Sequence, residues 1–276
     1  MLFDAHCHIS DECFEGVRDE LVKETEESGV RFLADVGSDL ATSLKTVEAA
    51  KRYAVCWSVV GCHPHEAKDF SDEQLAQIRR LYQEEPKVVA IGEIGLDYHY
   101  DLSPRDVQQY WFARQLEAAL EMDAPIVIHE REAFGDCYAI LERSGVFTKE
   151  RLDRFPKKPN GSPDARLMFH CFSGSAETAA QLVKQGVTLG ICGPVTYKNN
   201  RRTVEVVEKT DLVHLTVETD SPYLAPEPMR GRTNKPAYVA YTARRVADIK
   251  GLDYEEVCGI TFENACRFFG IQCIKA

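Results

Sequence analysis

Short apolar runs alternate with longer segments in which apolar residues recur at helical spacing. Val17, Leu21, Val22 and Thr25 follow that spacing, and residues three and four apart share one face of a helix. The continuous run RFLADV at residues 31–36 has the length and the branched residues of a buried strand. The pattern therefore predicts strands and helices in alternation.

Eight strands and nine helices follow from this pattern. The predicted strands cover residues 2–8, 31–36, 55–60, 88–93, 125–129, 166–171, 187–192 and 213–218. The predicted helices cover residues 16–28, 39–52, 71–83, 104–122, 133–144, 175–185, 199–208, 236–250 and 253–268. Eight short strands separated mainly by helices fit a (β/α)8 TIM barrel better than an open doubly wound sheet. We predict an α/β fold, one barrel domain over residues 1–276 with C-terminal helices.

The alternation pauses at residues 148–165. Their sequence, TKERLDRFPKKPNGSPDA, is charged and rich in proline and glycine. Such composition is typical of exposed connections. We interpret the segment as an inserted surface loop and not as a linker between domains.

Composition narrows the function classes. With 276 residues and 44% hydrophobic content, the chain can bury a sizeable core. Its 33 basic and 44 acidic residues give a net charge of -11, which repels polyanions and excludes a protein that coats DNA non-specifically. An enzyme whose bound cations hold phosphate locally is still allowed.

The apolar runs are of strand length, shorter than the roughly 20 residues that a membrane helix needs, and no signal segment opens the chain. We therefore expect a cytoplasmic protein without membrane contact, and no obligate protein partner is evident. The ten cysteines are scattered without a C-x-x-C pair, which favours reduced, mostly buried thiols.

Side chains that bind metals recur where the predicted strands end. In a barrel, functional groups collect at the C-terminal ends of the strands. The candidates are His6 and His8 at strand one, His63 and His65 after strand three, Glu93 at strand four, His129 at strand five, His170 at strand six and Asp220 after strand eight. They include six of the eight histidines, a concentration that a random scatter would not produce.

Several of these residues also have ordinary interpretations. His63 and His65 could be surface residues of a loop, and Asp220 could cap a turn, a common use of aspartate. Glu93 directly follows an apolar strand, and because an unpaired buried carboxylate is costly, a cation partner is favoured there. His214 begins strand eight at the opposite end of the barrel, where we expect no function.

The types of donor atom restrict which metal ions could bind and how many. Imidazoles mixed with carboxylates suit zinc, manganese, iron or cobalt better than calcium, which prefers oxygen ligands. Six protein ligands are too many for one catalytic zinc that keeps an open position, but they fit two ions that share a carboxylate. We predict two divalent metal ions, drawn from Zn, Mn, Mg and Co.

The motifs, taken together and in this order, resemble the TatD family of metal-dependent deoxyribonucleases among the amidohydrolase-like barrels. They are DAHCH, GCHPHE, GEIGLDYHYD, HERE, FHCFSGS, PVTYKN, VETDSPYL and PEPMRGRTNKP, and they span nearly the whole chain. The resemblance implies that His6, His8, Glu93 and Asp220 surround one ion, that Glu93, His129 and His170 surround the second, and that His63 and His65 lie near the substrate phosphate.

Two features depart from this resemblance. The insertion at residues 148–165 is longer than expected for a compact member, so the resemblance does not define the substrate entrance beside strands five and six. No lysine ends strand four, so the carbamylated lysine of other amidohydrolases is absent and Glu93 must bridge the ions. This argues against a dihydroorotase or a phosphotriesterase.

We hypothesise hydrolysis of DNA phosphodiester bonds by a metal-activated water, as an exonuclease on single strands. Glu93 and Asp220 are the catalytic candidates, and Asp220 would orient or deprotonate the water. Arg131 could pair with Glu130 or Glu132, or could face a phosphate. Further basic candidates for DNA contact, each also interpretable as a solvated charge, are Lys198, Arg201, Arg202, Arg230, Arg232 and Lys235.

Two alternatives stay open at this point. The same metal chemistry could serve a deacylase acting on an ester such as that of a mischarged aminoacyl-tRNA, or a small-molecule phosphodiesterase, because fold does not determine substrate. A more distant alternative is a non-catalytic metal-binding scaffold that retained the barrel.

Overall fold

The structure, a computed structural model, describes residues 1–272, and eight parallel strands form its centre in chain order. The strands are β1 (Leu2–Cys7), β2 (Val30–Val36), β3 (Cys56–Val60), β4 (Val88–Asp97), β5 (Ile126–Arg131), β6 (Leu167–Phe169), β7 (Thr188–Ile191) and β8 (Leu215–Val217). Each strand pairs with the next in parallel register, which places all the C-terminal strand ends at one face.

Helices connect the strands on the outside. They are α1 (Arg18–Glu27), α2 (Leu40–Arg52), α3 (Asp72–Glu84), α4 (Arg105–Glu121), α5 (Phe134–Ser144), α6 (Lys149–Leu152), α7 (Ala176–Lys184), α8 (Arg201–Lys209), α9 (Val239–Lys250) and α10 (Tyr254–Phe269). Ser71 caps α3 as its position predicts, accepting a hydrogen bond from the Gln74 backbone.

Contacts between the first and the last strand close the sheet. The Asp220 N–H donates to the His6 carbonyl at 2.9 Å. The buried Asp4 carboxylate accepts from the Thr219 backbone N–H at 2.8 Å and from its hydroxyl at 2.6 Å. The predicted (β/α)8 barrel with C-terminal helices is therefore confirmed.

Helix α10 covers the N-terminal end of the barrel. Phe3, near the start of β1, stacks on Phe269 with ring centroids 5.5 Å apart, and Phe32 of β2 stacks on Phe262 at 5.7 Å. These rings belong to a buried apolar cluster that continues into the barrel interior. Because this end is covered, the opposite end is the one open to solvent.

Strand β4 is longer than predicted. It continues past Glu93 to Asp97, with an irregularity in its pairing to β5 between Ile91 and Ile94. An irregularity of this kind re-aims the side chains that follow it. Strands β6 and β8, in contrast, are shorter than the predicted ranges.

The segment at residues 148–165 differs from its interpretation as a surface loop. It contains α6, and Arg151 and Lys158 are buried at 5% and 2% exposure. The Lys158 ammonium donates to the Val187 carbonyl, the Thr188 hydroxyl and His214 Nδ1, each at 3.1 Å. Because Thr188 begins β7, the segment packs at the N-terminal end of the barrel, far from any substrate entrance.

No helix within residues 1–272 is both long and apolar enough to traverse a membrane. Eight cysteines of the described chain are free thiols, six of them buried, as predicted for scattered cysteines, and Cys7 and Cys62 donate to backbone carbonyls.

Candidate metal centre

A cavity of about 580 Å³ opens at the C-terminal ends of the strands. Seven of the eight residues that the sequence nominates line it, and His6 lies fully buried beneath them. The lining candidates are His8, His63, His65, Glu93, His129, His170 and Asp220. The fold thus brings together residues from β1, β4 and β5 and from the turns after β3, β6 and β8.

The first group of ligand-type atoms belongs to His6, His8, Glu93 and Asp220, and it brings the end of β1 close to the turn after β8. His8 Nε2 lies 3.4 Å from Asp220 Oδ1 and 3.7 Å from Glu93 Oε1. His6 Nε2 lies 3.8 Å from Asp220 Oδ1 and 3.7 Å from Glu93 Oε2. Nitrogen and oxygen atoms at this separation converge on one point, as the ligands of a single cation do.

A second group meets the first at Glu93. His170 Nε2 lies 2.9 Å from Glu93 Oε2, and His129 Nδ1 lies 3.5 Å from the same oxygen. The two imidazole nitrogens are 3.1 Å apart. Glu93 is therefore common to both groups, with Oε1 toward His8 and Oε2 toward His6, His129 and His170.

His6 carries two buried nitrogen atoms without a hydrogen-bond partner in the described chain. Its exposure is 0%. Burial, and next the charge of His170, hold the pKa of His6 well below its usual range. A neutral imidazole with a free lone pair beside two carboxylates fits a metal cation, which would compensate the unpartnered nitrogen.

Hydrogen bonds on the far side of two rings determine which nitrogen faces the centre. The His8 Nδ1–H donates to the Val36 carbonyl at 2.8 Å, so Nε2 presents its lone pair to Glu93 and Asp220. The His129 Nε2–H donates to Asp97 Oδ2 at 3.1 Å, so Nδ1 presents its lone pair to Glu93. Such outer partners orient metal-binding histidines in proteins.

Asp97 is a residue of the site that the sequence analysis did not identify. It is 1% exposed, and its carboxylate accepts from His65 Nε2 at 3.0 Å as well as from His129. Its other oxygen accepts from the backbone of His99 and Tyr100. Burial alone would raise the pKa of Asp97, but the hydrogen bonds, led by that from His129, hold it well below its usual value.

Glu218 is the second residue that was missed. It is 0% exposed, accepts the Cys171 backbone N–H, and has one oxygen 3.7 Å from His170 Nδ1. Burial raises the pKa of Glu218. Glu218 lies behind His170 on the side away from Glu93, but at 3.7 Å it is farther from the ring than Asp97 is from His129. The VETD motif that contains it drew attention only to Asp220.

His63 and His65 occupy different positions, although they are two residues apart. His63 is 7% exposed, and a ring nitrogen lies within 4.8 Å of ligand atoms of Glu93 and His129. Burial is the main cause that lowers the pKa of His63. His65 is farther out and donates to Asp97. His63 is therefore not an ordinary surface residue, and it lies close enough to serve as a ligand.

The structure shows where the Asp220 side chain points and which partners Glu130 and Glu132, the two candidate partners of Arg131, have. The Asp220 side chain faces His6 and His8 and caps no turn among the described residues. Glu130 accepts the Ala133 N–H and Glu132 pairs with His99.

Arg131 pairs with neither glutamate, and its guanidinium carbon lies 4.6 Å from the Tyr100 ring centroid.

The predicted basic cluster lies away from the cavity. None of its six residues is among those that line the cavity in the described chain. Lys235 pairs with Glu24 at 2.8 Å, and Arg230 pairs with Glu227 at 3.8 Å. Arg131 is the one arginine or lysine of the described cavity lining.

Comparison with known proteins was consistent with this site. The family model described as TatD related DNase matches residues 3–270. The chain is 39% identical over 272 residues to the uncharacterized metal-dependent hydrolase YabD of Bacillus subtilis (strain 168), covering 99% of this chain and 100% of that protein.

Two further relatives extend the comparison. The 3'-5' ssDNA/RNA exonuclease TatD of Cronobacter sakazakii is 32% identical over 275 residues, with 97% of each chain covered. The crystal structure of YJJV, a TatD homolog from Escherichia coli K12, superposes with a TM-score of 0.86 at 25% identity, covering 98% of each chain.

Proposed function

The chain belongs to the family of TatD-related DNases and is a metal-dependent hydrolase, and from that premise we propose that it hydrolyses phosphodiester bonds of single-stranded DNA as an exonuclease. The observation that supports the proposal is the two groups of ligand-type residues that share Glu93 and line one cavity. A relative of similar length is named for this activity on single-stranded DNA and RNA.

We propose that the two groups hold two divalent ions, drawn from Zn, Mn, Mg and Co. One ion would lie among His6, His8, Glu93 and Asp220, and the other among Glu93, His129 and His170. Bound there, divalent cations supply Lewis acidity, which acidifies water near neutral pH and offsets the charge of a phosphate group.

The histidines contribute by their fixed orientation. Because Val36 and Asp97 each hold the far N–H of one ring, His8 and His129 keep their lone pairs aimed into the cavity without reorganisation. Preorganised polar groups of this kind favour the charged transition state over the free substrate.

Asp220 is the proposed general base. Its side chain is 14% exposed, so it meets the solvent of the cavity, whereas Glu93 is 6% exposed. A carboxylate in that position accepts the proton of the attacking water and orients its lone pair toward phosphorus. We propose that His63 and His65, which line the same cavity, contact the phosphate of the substrate.

The charge of the molecule makes local cations necessary for this function. A net charge of -11 repels a polyanionic strand, and Arg131 alone provides a basic side chain in the described lining of the cavity. Divalent ions at Glu93 and Asp220 would reverse the sign of the potential where the phosphate must bind. Catalysis should accordingly depend strictly on added metal.

The experiment is hydrolysis of an end-labelled single-stranded oligodeoxynucleotide by metal-stripped protein, with Mg, Mn, Co or Zn added back. We expect metal-dependent cleavage that Glu93→Ala reduces by about 10³-fold or more, since both ligand groups lose their shared member. The matched control is Glu132→Ala, an exposed glutamate of the same rim that pairs only with His99.

Three outcomes separate the candidate functions. Cleavage lost in Glu93→Ala and kept in Glu132→Ala supports the nuclease. Hydrolysis of aminoacyl esters or small phosphodiesters without cleavage of DNA would support a deacylase or a small-molecule phosphodiesterase that uses the same site. Full activity of Glu93→Ala on DNA would contradict the proposed metal centre. The scaffold alternative is set aside, since one relative is named a metal-dependent hydrolase and another an exonuclease.

A further inference from the structure

Tyr100 presents a large aromatic ring to the cavity and to solvent. It is 55% exposed, although it lines the same cavity as the ligand-type residues. The rings of His65 and His99 stand nearly perpendicular to it, with centroids 5.5 and 4.9 Å away. An exposed aromatic residue at the edge of a cavity is a common feature of ligand recognition.

The Tyr100 backbone is fixed relative to the metal centre. Asp97 Oδ1 accepts the Tyr100 N–H at 2.9 Å, while Asp97 Oδ2 accepts from His129 Nε2 at 3.1 Å. One buried carboxylate therefore holds both the exposed ring and a candidate metal ligand. A ligand stacked on Tyr100 would have a defined distance from the reacting phosphate.

Arg131 lies against the ring, and its guanidinium donates no hydrogen bond to any residue within 1–272. Its guanidinium carbon is 4.6 Å from the Tyr100 centroid, and no carboxylate of the described chain lies within salt-bridge distance of it. Arg131 ends β5, where it is in register with Asp97 of β4. A guanidinium with unused donors in a cavity is suited to a phosphate group, which it can bind through two N–H groups at once.

From these contacts we propose that Tyr100 and Arg131 form a nucleotide subsite beside the metal centre. The Tyr100 ring stacks on a base of a single-stranded substrate, and Arg131 binds the adjacent phosphate. The subsite rests on the proposed nuclease function and specifies its substrate, a strand with unpaired bases. It also accounts for how a strongly acidic protein retains a polyanion next to Asp220 and Glu93.

Stacking explains why the subsite would accept any sequence. Every base has a π-face, and stacking on an aromatic side chain is therefore tolerant of base identity. Arg131 adds cation–π contact on the same platform. A base in a duplex is already stacked on both sides, so the subsite favours single strands over double strands.

The test measures whether the base and Tyr100 act together. Substrates are a labelled single strand and a set of matched strands, each with one abasic nucleotide near either end. For the wild-type enzyme we expect removal of the base at one position to lower kcat/KM roughly tenfold to a hundredfold. For Tyr100→Ala that ratio should fall to about one, because the stacking partner is gone.

Tyr110→Ala is the matched control. Tyr110 is 50% exposed on α4, carries Arg114 6.0 Å from its ring centroid, and lies outside the cavity. This variant should discriminate against abasic strands as the wild-type enzyme does. Arg131→Gln should raise KM on every strand, abasic or not, because it removes a contact to phosphate.

Binding of a single strand with nuclease-resistant phosphorothioate linkages to the metal-loaded protein gives a readout without turnover. Fluorescence anisotropy with a labelled single strand should show weaker binding for Tyr100→Ala than for Tyr110→Ala. If the wild-type enzyme cleaves DNA but Tyr100→Ala keeps the full preference for base-bearing strands, the subsite is wrong and the nuclease stands. If the wild-type enzyme cleaves no DNA, the proposed function fails and the subsite with it.

Discussion

Buried polar side chains gather at both ends of the barrel, but their hydrogen bonding differs. At the C-terminal end, His6 has no partner for either nitrogen in the described chain. At the N-terminal end, we name Lys158, Val187, Thr188 and His214 the floor cluster. In it, the Val187 carbonyl, the Thr188 hydroxyl and His214 Nδ1 give the Lys158 ammonium one acceptor for each of its hydrogens.

This difference in hydrogen bonding suggests a ligand-binding role for the residues around His6 and a structural role for the floor cluster. A buried polar group that the protein itself satisfies adds to stability, and removing its partner is costly. A buried polar group without a partner is a cost to the fold unless something outside the chain satisfies it. The floor cluster therefore stabilises the barrel, whereas the groups around His6 fit the metal-binding role that we propose.

Lys158→Met tests the structural role of the floor cluster, and we expect it to cause the largest loss of stability. The substitution keeps the apolar length of the side chain but leaves the Val187 carbonyl, Thr188 and His214 without their donor. We expect the free energy of unfolding to fall by about 3 kcal/mol, with kcat on DNA within about twofold of wild type.

Urea unfolding measures the first quantity, and the exposed neighbour Lys157→Met is the control. A loss of activity that exceeds the loss of folded protein would mean that the floor cluster also serves catalysis.

Asp97→Asn should give the next effect, at the other end of the barrel. The amide can accept fewer hydrogen bonds than the carboxylate, so the orientation of His129 loosens. We expect metal affinity to fall by about 10- to 100-fold with little change in the free energy of unfolding of the metal-free protein. Titration calorimetry with Mn or Zn provides the measurement.

The control for that variant is Asp101→Asn, at an exposed aspartate that pairs with Arg105. Equal metal affinity in Asp97→Asn and wild type would contradict the role of Asp97 in orienting His129 for metal binding.

Counted per pH unit, the smallest effect is a dependence of stability on pH. Burial lowers the pKa of Lys158 from 10.5 to about 7. Between these two values the unfolded chain binds a proton that the folded chain has released, so the free energy of unfolding rises with pH. The slope is at most about 1.4 kcal/mol per pH unit.

The difference between wild type and Lys158→Met, measured by urea unfolding at neutral and alkaline pH, isolates this slope from other titrating groups. His214 does not contribute, since burial, and next the charge of Lys158, lower its pKa to about 4. A wild-type slope that the variant retains would contradict the assignment.

The barrel and the candidate ligands were predictable because they depend on local pattern. His6 and His8 end an apolar run, and so do Glu93, His129 and His170. Parallel strands then place their ends at one face whatever the details of packing. Only the order of strands and helices was needed for that inference.

The residues behind the ligands were not predictable in the same way. Asp97 reaches His129 because β4 continues beyond Glu93 past an irregularity in its pairing, which the apolar run does not show. Lys158 lies in a charged stretch with proline and glycine, and only contacts with β7 and His214 reveal that it is buried. Both depend on long-range packing.

The junction of β1 with β8 also links activity to protein synthesis. Asp4 and Thr219, which join the two strands, are 215 residues apart, and His6, His8 and Asp220 meet across that junction. On the ribosome, His6 and His8 emerge first, and Asp220 emerges only after all eight strands have been made. A chain that stops before β8 would carry imidazoles and Glu93 but not the proposed base, so interrupted translation would release no active hydrolase.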